Sequence, residues 1–329
     1  MTKDVNIKYL TKFPASESWL FITQKKAFYI TDFRYLHEAR KGLKGVAVIR
    51  YDKSLQNSLF ELAVREKVKT LGLDERHISL FQYKKLHKAC PRTVKLSGVN
   101  NLVEDLRAVK ESGEVQKIRE ALKIHQEALV MLKKVIKPGL SERDVFFKLE
   151  EFVKDRNVGF SFDPIIASGP NSAYPHAKVS DRKIRNNEIV LVDIGIDVKG
   201  YKSDLTRIFF LGRIPKLISE VRQEVWVAQQ LAITNICAGR SVAAIDKIAR
   251  NSLKEKKLDV YFGHSLGHGV GLEIHENPRL SEQDPTILKE GMVVTVEPGV
   301  YIPGKFGIRL EEMVLVTKKG CEVLSGNIN

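Results

Sequence analysis

Residues 188–207 read EIVLVDIGIDVKGYKSDLTR, and this stretch decides both the expected fold and the expected site. Asp193 stands in an apolar run with the composition of a buried strand, where an unpaired charge is costly. A second strand begins near Asp204, beyond a turn rich in Asp and Gly. If Val198-Lys199 forms a two-residue loop, the two carboxylates lie opposite each other, about 5 Å apart at Cβ, although a bulge at Gly200 would shift the pairing by one residue. Such a pair requires a cation or a shared proton, unless neighbouring basic side chains cap each carboxylate separately.

A second cluster of polar residues lies in residues 263–276, which read GHSLGHGVGLEIHE. Three of the eight histidines in the chain, His264, His268 and His275, fall within this segment. Neutral imidazole is a good ligand for borderline divalent metals. A single histidine is more often an ordinary core or surface residue, but a cluster beside glycines that allow close backbone approach indicates a binding site.

Two further carboxylates lie on strand-like segments near the C-terminus. Glu297 ends the apolar strand predicted for residues 292–297, and alternation along residues 308–317 places Glu311 on the same face as Arg309. Alone, Glu297 could be a surface residue at a strand end, and Glu311 could be an ion-pair partner of Arg309. Together with the earlier residues they suit two divalent cations bridged by a hydroxide, because four carboxylates balance the charge of two dications. The expected ligand set is Asp193, Asp204, His268, Glu297 and Glu311.

The composition is typical of a globular protein with a substantial core. The chain has 329 residues, of which 43% are hydrophobic and 29% are charged, and its length favours two domains. No apolar run approaches the ~20 residues of a membrane helix, and the first residues do not resemble a secretory signal. The three cysteines are far apart in the sequence and indicate reduced thiols. We therefore expect a cytoplasmic protein without membrane association.

The positive net charge is concentrated in the first third of the chain. Residues 1–110 contain 22 lysines and arginines against 11 acidic residues, whereas the net charge of the whole chain is +14. These positive residues are scattered, without the basic stripe interleaved with aromatic residues that nucleic-acid binding requires. We expect a solvated basic surface and no nucleic-acid partner.

The pattern of helices and strands predicts two domains of different class. Residues 1–105 alternate short strands with helices, including a hairpin over residues 19–31 and a buried strand over residues 45–49, which is typical of a small α/β domain. Residues 106–329 mix helices with antiparallel hairpins, which predicts an α+β domain. The predicted helices of this second domain cover residues 114–136, 141–155, 218–238 and 241–256, and its strands cover 189–196, 202–211, 292–297 and 308–317.

With these residues in place, the chain resembles the proline peptidases of the pita-bread metallopeptidase family, the Xaa-Pro aminopeptidases and Xaa-Pro dipeptidases. The five expected ligands stand in the family's order and spacing, and residues 203–207, 267–271 and 296–299 match its motifs. The resemblance covers about residues 105–325. It implies a pita-bread catalytic domain with pseudo-two-fold symmetry, behind a creatinase-like N-terminal domain that here starts almost at residues 8–13 and so looks shortened or truncated.

The resemblance also implies an activity, a cofactor and an assembly. The expected reaction is hydrolysis of the peptide bond before proline, in short peptides with proline at the second position or in dipeptides, by a hydroxide that bridges two divalent metal ions. Mn²⁺ is the expected metal, with Co²⁺, Zn²⁺ and Fe²⁺ as alternatives. The expected assembly is a homodimer.

Residue roles follow from the resemblance position by position. Glu297 would be a ligand and also the proton acceptor for the attacking hydroxide, while Asp204 and Glu311 would bridge the metals. His275 would stabilise the tetrahedral intermediate or give a proton to the leaving amine. His176 and His264 would contact the proline ring, and His176 is also an expected catalytic residue together with Glu297 and His275. Tyr301 and Arg309 would orient neighbouring groups.

Other functions of the same fold stay open at this point. A methionine aminopeptidase is disfavoured by the N-terminal domain, and a creatinase-like amidinohydrolase is disfavoured by the complete ligand set. A non-enzymatic binding module for proteins or nucleic acid is a further alternative, but such relatives typically lose ligands. Two departures from the family pattern, Leu266 in place of threonine and Glu312 in place of aspartate, remove no ligand.

Overall fold

The computed structural model describes residues 1–326 and divides the chain into two compact units, Met1–Arg107 and a second unit that begins at Ala108. In chain order the helices are α1 (Asp4–Thr11), α2 (Phe33–Gly42), α3 (Leu55–Arg65), α4 (Leu80–Ala89), α5 (Glu104–Ala108), α6 (Ser112–Val135), α7 (Glu142–Asp155), α8 (Lys216–Thr234) and α9 (Val242–Glu255). Short 3₁₀ turns cover Gly169–Ala173 and Asp259–Tyr261. None of the helices in this described part of the chain combines the length and the apolar character needed to cross a membrane.

The strands are short, and most belong to the second unit. They are β1 (Trp19–Ile22), β2 (Ala27–Thr31), β3 (Ala47–Arg50), β4 (Thr70–Asp74), β5 (Lys95–Val99), β6 (Gly159–Phe160), β7 (Ile165–Ser168), β8 (Glu188–Ile194), β9 (Ile196–Val198), β10 (Tyr201–Lys202), β11 (Leu205–Leu211), β12 (Gly267–Gly269), β13 (Glu276–Leu280), β14 (Val293–Val296), β15 (Gly299–Ile302), β16 (Phe306–Arg309), β17 (Glu312–Val316) and β18 (Cys321–Val323).

The first unit is α/β, as its sequence pattern predicts. β1 and β2 form the expected antiparallel hairpin, β3 joins it in parallel, and β4 pairs in parallel with β5. Side-chain oxygens start the helices: Ser79 and Gln82 form a capping box at α4, and Asp32 accepts a hydrogen bond from the backbone N–H of Arg34 at α2. The prediction of a buried strand over residues 45–49 is wrong, because β3 lies at the edge of its sheet and none of its residues is buried.

Two halves of the second unit repeat one local arrangement. In each half a glycine with positive φ, Gly139 at 93° or Gly239 at 87°, follows the end of a long helix, α6 or α8, and a serine then precedes the next helix, α7 or α9. The Gly139 N–H donates to the carbonyl of Ile184 at 2.9 Å, and the Gly239 N–H donates to that of Leu288 at 2.8 Å. The repeat gives the second unit the internal two-fold character that its resemblance implies.

The core of the second unit lies between helices and antiparallel sheets. A cluster of buried residues from α8 and α9 packs against β14, β16 and β17, with Val225, Ile245 and Val314 among its fully buried members. The larger sheet has the strand order β13-β12-β14-β17-β18, and a second has the order β11-β8-β7. Helices and antiparallel sheets therefore mix throughout the unit, as the α+β prediction requires.

The register of the β8–β11 hairpin differs from the expected one. Asp193 pairs with Thr206, not with Asp204. The turn consists of Lys199 and Gly200, which both have positive φ, 55° and 89°. Two successive residues with positive φ form the type I′ turn that matches strand twist, so the loop lies one residue later than predicted. Asp204 consequently becomes a diagonal neighbour of Asp193 on the same face of the hairpin, still within reach of it.

The predicted strand over residues 308–317 is interrupted in the structure. β16 ends at Arg309 and pairs with β15, whereas β17 begins at Glu312 and pairs with β14 and β18. Glu311 lies in the connection between them. The break falls at Glu311 and Glu312, two consecutive polar residues that interrupt the alternation of apolar residues.

Candidate metal centre

Three carboxylates from separate segments meet at one point of the second unit. Asp193 comes from β8, Asp204 lies between β10 and β11, and Glu311 lies between β16 and β17. One oxygen atom from each lies within 4.8 Å of the other two, and all three residues are buried. Burial of three acidic groups this close together is costly unless a cation neutralises them.

The other two expected ligands lie beside these carboxylates. His268 is on β12 and Glu297 directly follows β14. The Nε2 atom of His268 is 3.3 Å from a Glu297 oxygen and 3.6 Å from an Asp204 oxygen. The structure therefore brings together all five residues that the sequence selects.

Thr206 links the carboxylates to Arg309. Its hydroxyl donates to Glu311 Oε2 at 2.8 Å and accepts from Arg309 Nε at 2.9 Å. Arg309 also forms a short ion pair with Asp193. The sequence interpretation missed the role of Thr206, although its position two residues after Asp204 was a usable signal, because residues i and i+2 share one face of a strand.

A chain of hydrogen bonds leads from Arg309 to His264. Arg309 Nη1 donates to the Tyr301 hydroxyl at 2.8 Å, and that hydroxyl is 2.9 Å from His264 Nε2. His264 Nδ1 is 2.8 Å from the carbonyl oxygen of Ser265, which can only accept. Nδ1 therefore carries the proton and Nε2 accepts from Tyr301. With both ring nitrogens in use, His264 presents only its carbon edge and face to a ligand.

Two more histidines border the centre. The rings of His268 and His275 have centroids 4.4 Å apart in an edge-to-face arrangement. Partial desolvation and the charge of His268 lower the pKa of His275. His176 is exposed in the turn after Pro175, whose carbonyl oxygen accepts a hydrogen bond from Arg309 Nη1 at 3.2 Å. The histidines that the sequence selects for substrate contact therefore lie on segments that touch the metal centre or Arg309.

Thr295 is a second residue that the sequence interpretation missed. Its hydroxyl accepts from the backbone N–H of His268 at 3.0 Å and donates to Glu297 at 3.1 Å. Thr295 therefore fixes the position of β12 relative to the end of β14. The expected ligands His268 and Glu297 are fixed relative to each other in the same way. No sequence signal marks Thr295, because it looks like any β-branched residue of a buried strand.

The electrostatics of the centre are those of crowded negative charges. Burial and the charges of Glu311 and Asp193 raise the pKa of Asp204 well above its usual range. Burial and the charges of Glu297 and Asp193 do the same to the pKa of Glu311. Burial opposes ionisation of Glu297 as well, but a hydrogen bond from His268 lowers its pKa to about 2. Arg309 alone does not balance four carboxylates.

The donor set fits divalent cations. Oδ1 of Asp193 is buried and has no hydrogen-bond partner among residues 1–326, so it has lone pairs that a cation could use. Carboxylate oxygens with one imidazole suit hard to borderline ions such as Mn²⁺, Co²⁺, Zn²⁺ and Fe²⁺. The five side chains could therefore hold metal, with Thr206 and Thr295 as their hydrogen-bonding support.

Comparison with known proteins identifies the family of the chain and its two domains. Residues 116–318 match the model of metallopeptidase family M24, and residues 1–109 match the Creatinase/Prolidase N-terminal domain. The chain is 35% identical to a Xaa-Pro dipeptidase of Pyrococcus horikoshii over 99% of its own length and 91% of that protein. Both matches confirm the predicted family resemblance and the predicted combination of an α+β catalytic unit with a creatinase-type first unit.

Solved structures give the same result. A Xaa-Pro dipeptidase from Bacillus anthracis superimposes with a TM-score of 0.95 at 34% identity, covering 100% of this chain and 92% of that one. An X-Pro aminopeptidase from Thermotoga maritima superimposes with a TM-score of 0.90 at 33% identity, covering 99% and 93%. The similarity extends over both units and is not limited to the ligand motifs.

Proposed function

Because the chain belongs to metallopeptidase family M24, we propose that it is a metal-dependent proline peptidase that hydrolyses the Xaa-Pro bond in dipeptides or at the N-terminus of short peptides. The observation that carries this proposal is the convergence of Asp193, Asp204, His268, Glu297 and Glu311 in one buried cluster. The relatives described as Xaa-Pro dipeptidases and as an X-Pro aminopeptidase support the choice of bond.

The proposed role of the cluster is to hold two divalent cations, with Mn²⁺ as the proposed metal and Co²⁺, Zn²⁺ or Fe²⁺ as alternatives. When bound, such ions polarise the scissile carbonyl and lower the pKa of the attacking water. Asp193, Asp204 and Glu311 supply oxygens and His268 supplies a nitrogen; hydrogen bonds from Arg309 and Thr206 hold Asp193 and Glu311 in place. Charge balance supports two ions, because four carboxylates then face two dications.

Glu297 is the proposed proton acceptor for the attacking water. Its oxygen lies 3.3 Å from His268 and accepts from Thr295, so its position is fixed before substrate arrives. The hydrogen bond from His268 lowers the pKa of Glu297 to about 2 and so favours its ionised form, which is the form that can accept a proton.

The proposed substrate-site residues surround this centre. His275 stabilises charge on the carbonyl oxygen or gives a proton to the leaving amine, and its ring contact with His268 places it beside the ligands. His264 and His176 shape the pocket for the proline ring. For His264 the contact is apolar, since both of its nitrogens bond to the protein. Tyr301 and Arg309 orient His264 and Asp193.

We also propose that the protein is cytoplasmic and forms a homodimer. Residues 106–329 carry the chemistry, and residues 1–105 are the creatinase-like domain. The three cysteines are free, which suits a reducing cytoplasm. The homodimer stays a prediction that light scattering of the purified protein can test.

The decisive experiment is hydrolysis of Xaa-Pro dipeptides and Xaa-Pro-Yaa tripeptides with Mn²⁺ added, next to the same peptides with alanine in place of proline. We expect cleavage of at least one proline-containing class and loss of activity by at least about 10³-fold in Asp204→Ala, because the variant removes one of the side chains that would hold metal, together with its charge. Asp155→Ala, which changes an exposed carboxylate at the end of α7, is the matched control. Equal activity in Asp204→Ala and wild type would rule out this mechanism.

A non-enzymatic binding module is the second candidate, and it makes the opposite prediction for metal. Such a protein would show neither bound nor activating divalent ions by elemental analysis. The complete ligand set and the buried, unpartnered oxygen of Asp193 favour the enzyme.

A further inference from the structure

Glu142, the first residue of α7, is completely buried, although nothing in the proposed mechanism uses it. Its Oε1 accepts from the N–H and the hydroxyl of Ser168 at 2.7 and 2.8 Å. Its Oε2 accepts from the hydroxyl and the N–H of Ser180 at 2.6 and 3.2 Å. The amide of Asn171 donates to both oxygens, at 3.0 and 3.2 Å. One carboxylate therefore satisfies five separate donor groups.

The five donor groups belong to three residues of one stretch of chain, residues 168–180, which we name the 168–180 segment. Two of these residues are the ends of the segment, and the third lies near its start. Ser168 is the last residue of β7, Asn171 lies in the 3₁₀ turn, and Ser180 closes the segment. A carboxylate that binds both ends of a loop fixes its span and its orientation. Few other side chains can do this, because only an ionised carboxylate offers about four acceptor positions and no donor.

The middle of the 168–180 segment faces the candidate site. The hydroxyl of Ser172 accepts from the backbone N–H of Gly307 on β16 at 2.8 Å. The carbonyl of Pro175 accepts from Arg309 at 3.2 Å, and His176 is the next residue. Glu142 thus binds the two ends of the segment, and β16 binds its middle. His176 is exposed and lies in this middle part, directly after the residue that contacts Arg309.

We propose that Glu142 is a positioning residue for substrate binding, which acts by fixing the 168–180 segment so that His176 meets the proline side of the peptide. The inference rests on the proposed function, because it assumes that His176 contacts substrate. It predicts a defect in binding and not in the metal centre, since none of the five ligands touches Glu142 or the groups that it binds.

The test is steady-state kinetics of Glu142→Gln on an Xaa-Pro dipeptide with saturating Mn²⁺. Glutamine has nearly the same shape as glutamate, but one of its two terminal atoms is an NH₂ group, which donates and cannot accept. The groups that donate to this position in wild type would therefore lose their acceptor. We expect KM to rise about tenfold, equivalent to about 1.4 kcal/mol, with kcat within about threefold and metal content unchanged. Glu151→Gln, an exposed glutamate on the same helix, is the matched control and should behave as wild type.

The double variant with His176→Ala separates positioning from a general loss of stability. If Glu142 acts through His176, adding Glu142→Gln to His176→Ala raises KM no further. Additive increases in KM, or a parallel loss of kcat and bound metal, would overturn the inference. Should Glu142→Gln fail to fold, Ser180→Ala removes one donor and should raise KM about threefold, again only when His176 is present; an unchanged KM in Ser180→Ala would overturn the inference equally.

The same data separate this inference from the proposed function. Wild-type protein that cleaves no Xaa-Pro substrate with any of the four metals would overturn both. Active wild type together with unchanged KM in Glu142→Gln would overturn only the role of Glu142.

Discussion

His125 lies fully buried on α6, where its Nδ1 is 3.1 Å from the hydroxyl of Ser203, the residue before Asp204. Its Nε2 has no hydrogen-bond partner among the described residues. Burial, together with the charge of Arg207, lowers the pKa of His125 to about 3. The unfolded chain takes up a proton near the ordinary histidine pKa of about 6.5, whereas the folded protein resists this down to about pH 3.

This difference predicts a loss of stability in acid. Between about pH 6.5 and pH 3, His125 is protonated in the unfolded state but neutral in the folded state. The free energy of unfolding therefore falls as the pH falls. The contribution of this one group is at most about 1.4 kcal/mol per pH unit. In His125→Gln the slope between pH 6 and pH 4.5 should be shallower than in wild type, as measured by denaturant unfolding at each pH.

The matched control for this prediction is His37→Gln, because His37 is an exposed residue of α2. Its slope should equal that of wild type. Identical slopes for wild type and His125→Gln would show that His125 is protonated in the folded protein, contrary to the expected effect of its burial.

At the level of elements, the centre depends on how closely β12 lies to β14. Gly267 begins β12, and a Cβ atom at this position would come within 2.1 Å of the carbonyl oxygen of Thr295. A contact of that length with backbone cannot be relieved by rotating a side chain. The close approach is what lets the hydroxyl of Thr295 reach the backbone of His268.

Gly267→Ala should therefore separate the two strands and displace His268. We expect the free energy of unfolding to fall by about 1–3 kcal/mol, the usual range for overpacking, and the affinity for Mn²⁺ to fall with it. Denaturant unfolding and metal titration by calorimetry measure the two effects.

Gly263→Ala is the comparison, four residues earlier, where a Cβ atom would meet nothing within 4 Å. Its stability should stay within about 0.5 kcal/mol of wild type, as for most surface changes. Equal metal affinity in both variants would show that His268 does not depend on the spacing of β12 and β14.

At the level of the whole molecule, the second unit carries a concentration of buried negative charge that only the folded chain assembles. A cation that binds this cluster and not the unfolded chain stabilises the fold by mass action, by about 2.7 kcal/mol at one hundred times its Kd. We therefore expect metal binding and folding to be linked in this protein, whatever its catalytic rate.

Differential scanning calorimetry can test that linkage without a substrate. Mn²⁺ added to chelator-treated wild type should raise the unfolding temperature, and the chelator should reverse the change. Asp204→Ala should show a much smaller rise. In the absence of metal, Asp204→Ala should unfold at the same temperature as wild type or at a higher temperature. The reason is that the variant lacks one of the buried carboxylates that repel each other. A metal-induced rise of equal size in both proteins would place the binding site elsewhere.

Much of the fold and the choice of the five candidate ligands follow from sequence, because they depend on local pattern. α6 and α7 are readable from their apolar spacing and from the Pro-Gly-Leu-Ser turn of residues 138–141, and the β1–β2 hairpin is readable from its β-rich residues. The five ligands stand out because charged or imidazole groups interrupt apolar or glycine-rich runs. Each of these signals lies within about ten residues of chain.

Only the tertiary structure decides the register of the β8–β11 hairpin and the residues that support the ligands. Thr295 and His125 look ordinary in sequence, and their partners lie far along the chain. Glu142, which binds the 168–180 segment and not the ligands, also looks ordinary in sequence. Propensity and periodicity act over a few residues, whereas a hydrogen bond between buried side chains requires two elements already packed so that donor and acceptor atoms lie about 3 Å apart. Local sequence selected the five side chains that the fold brings together, and packing set which neighbouring groups form hydrogen bonds with them.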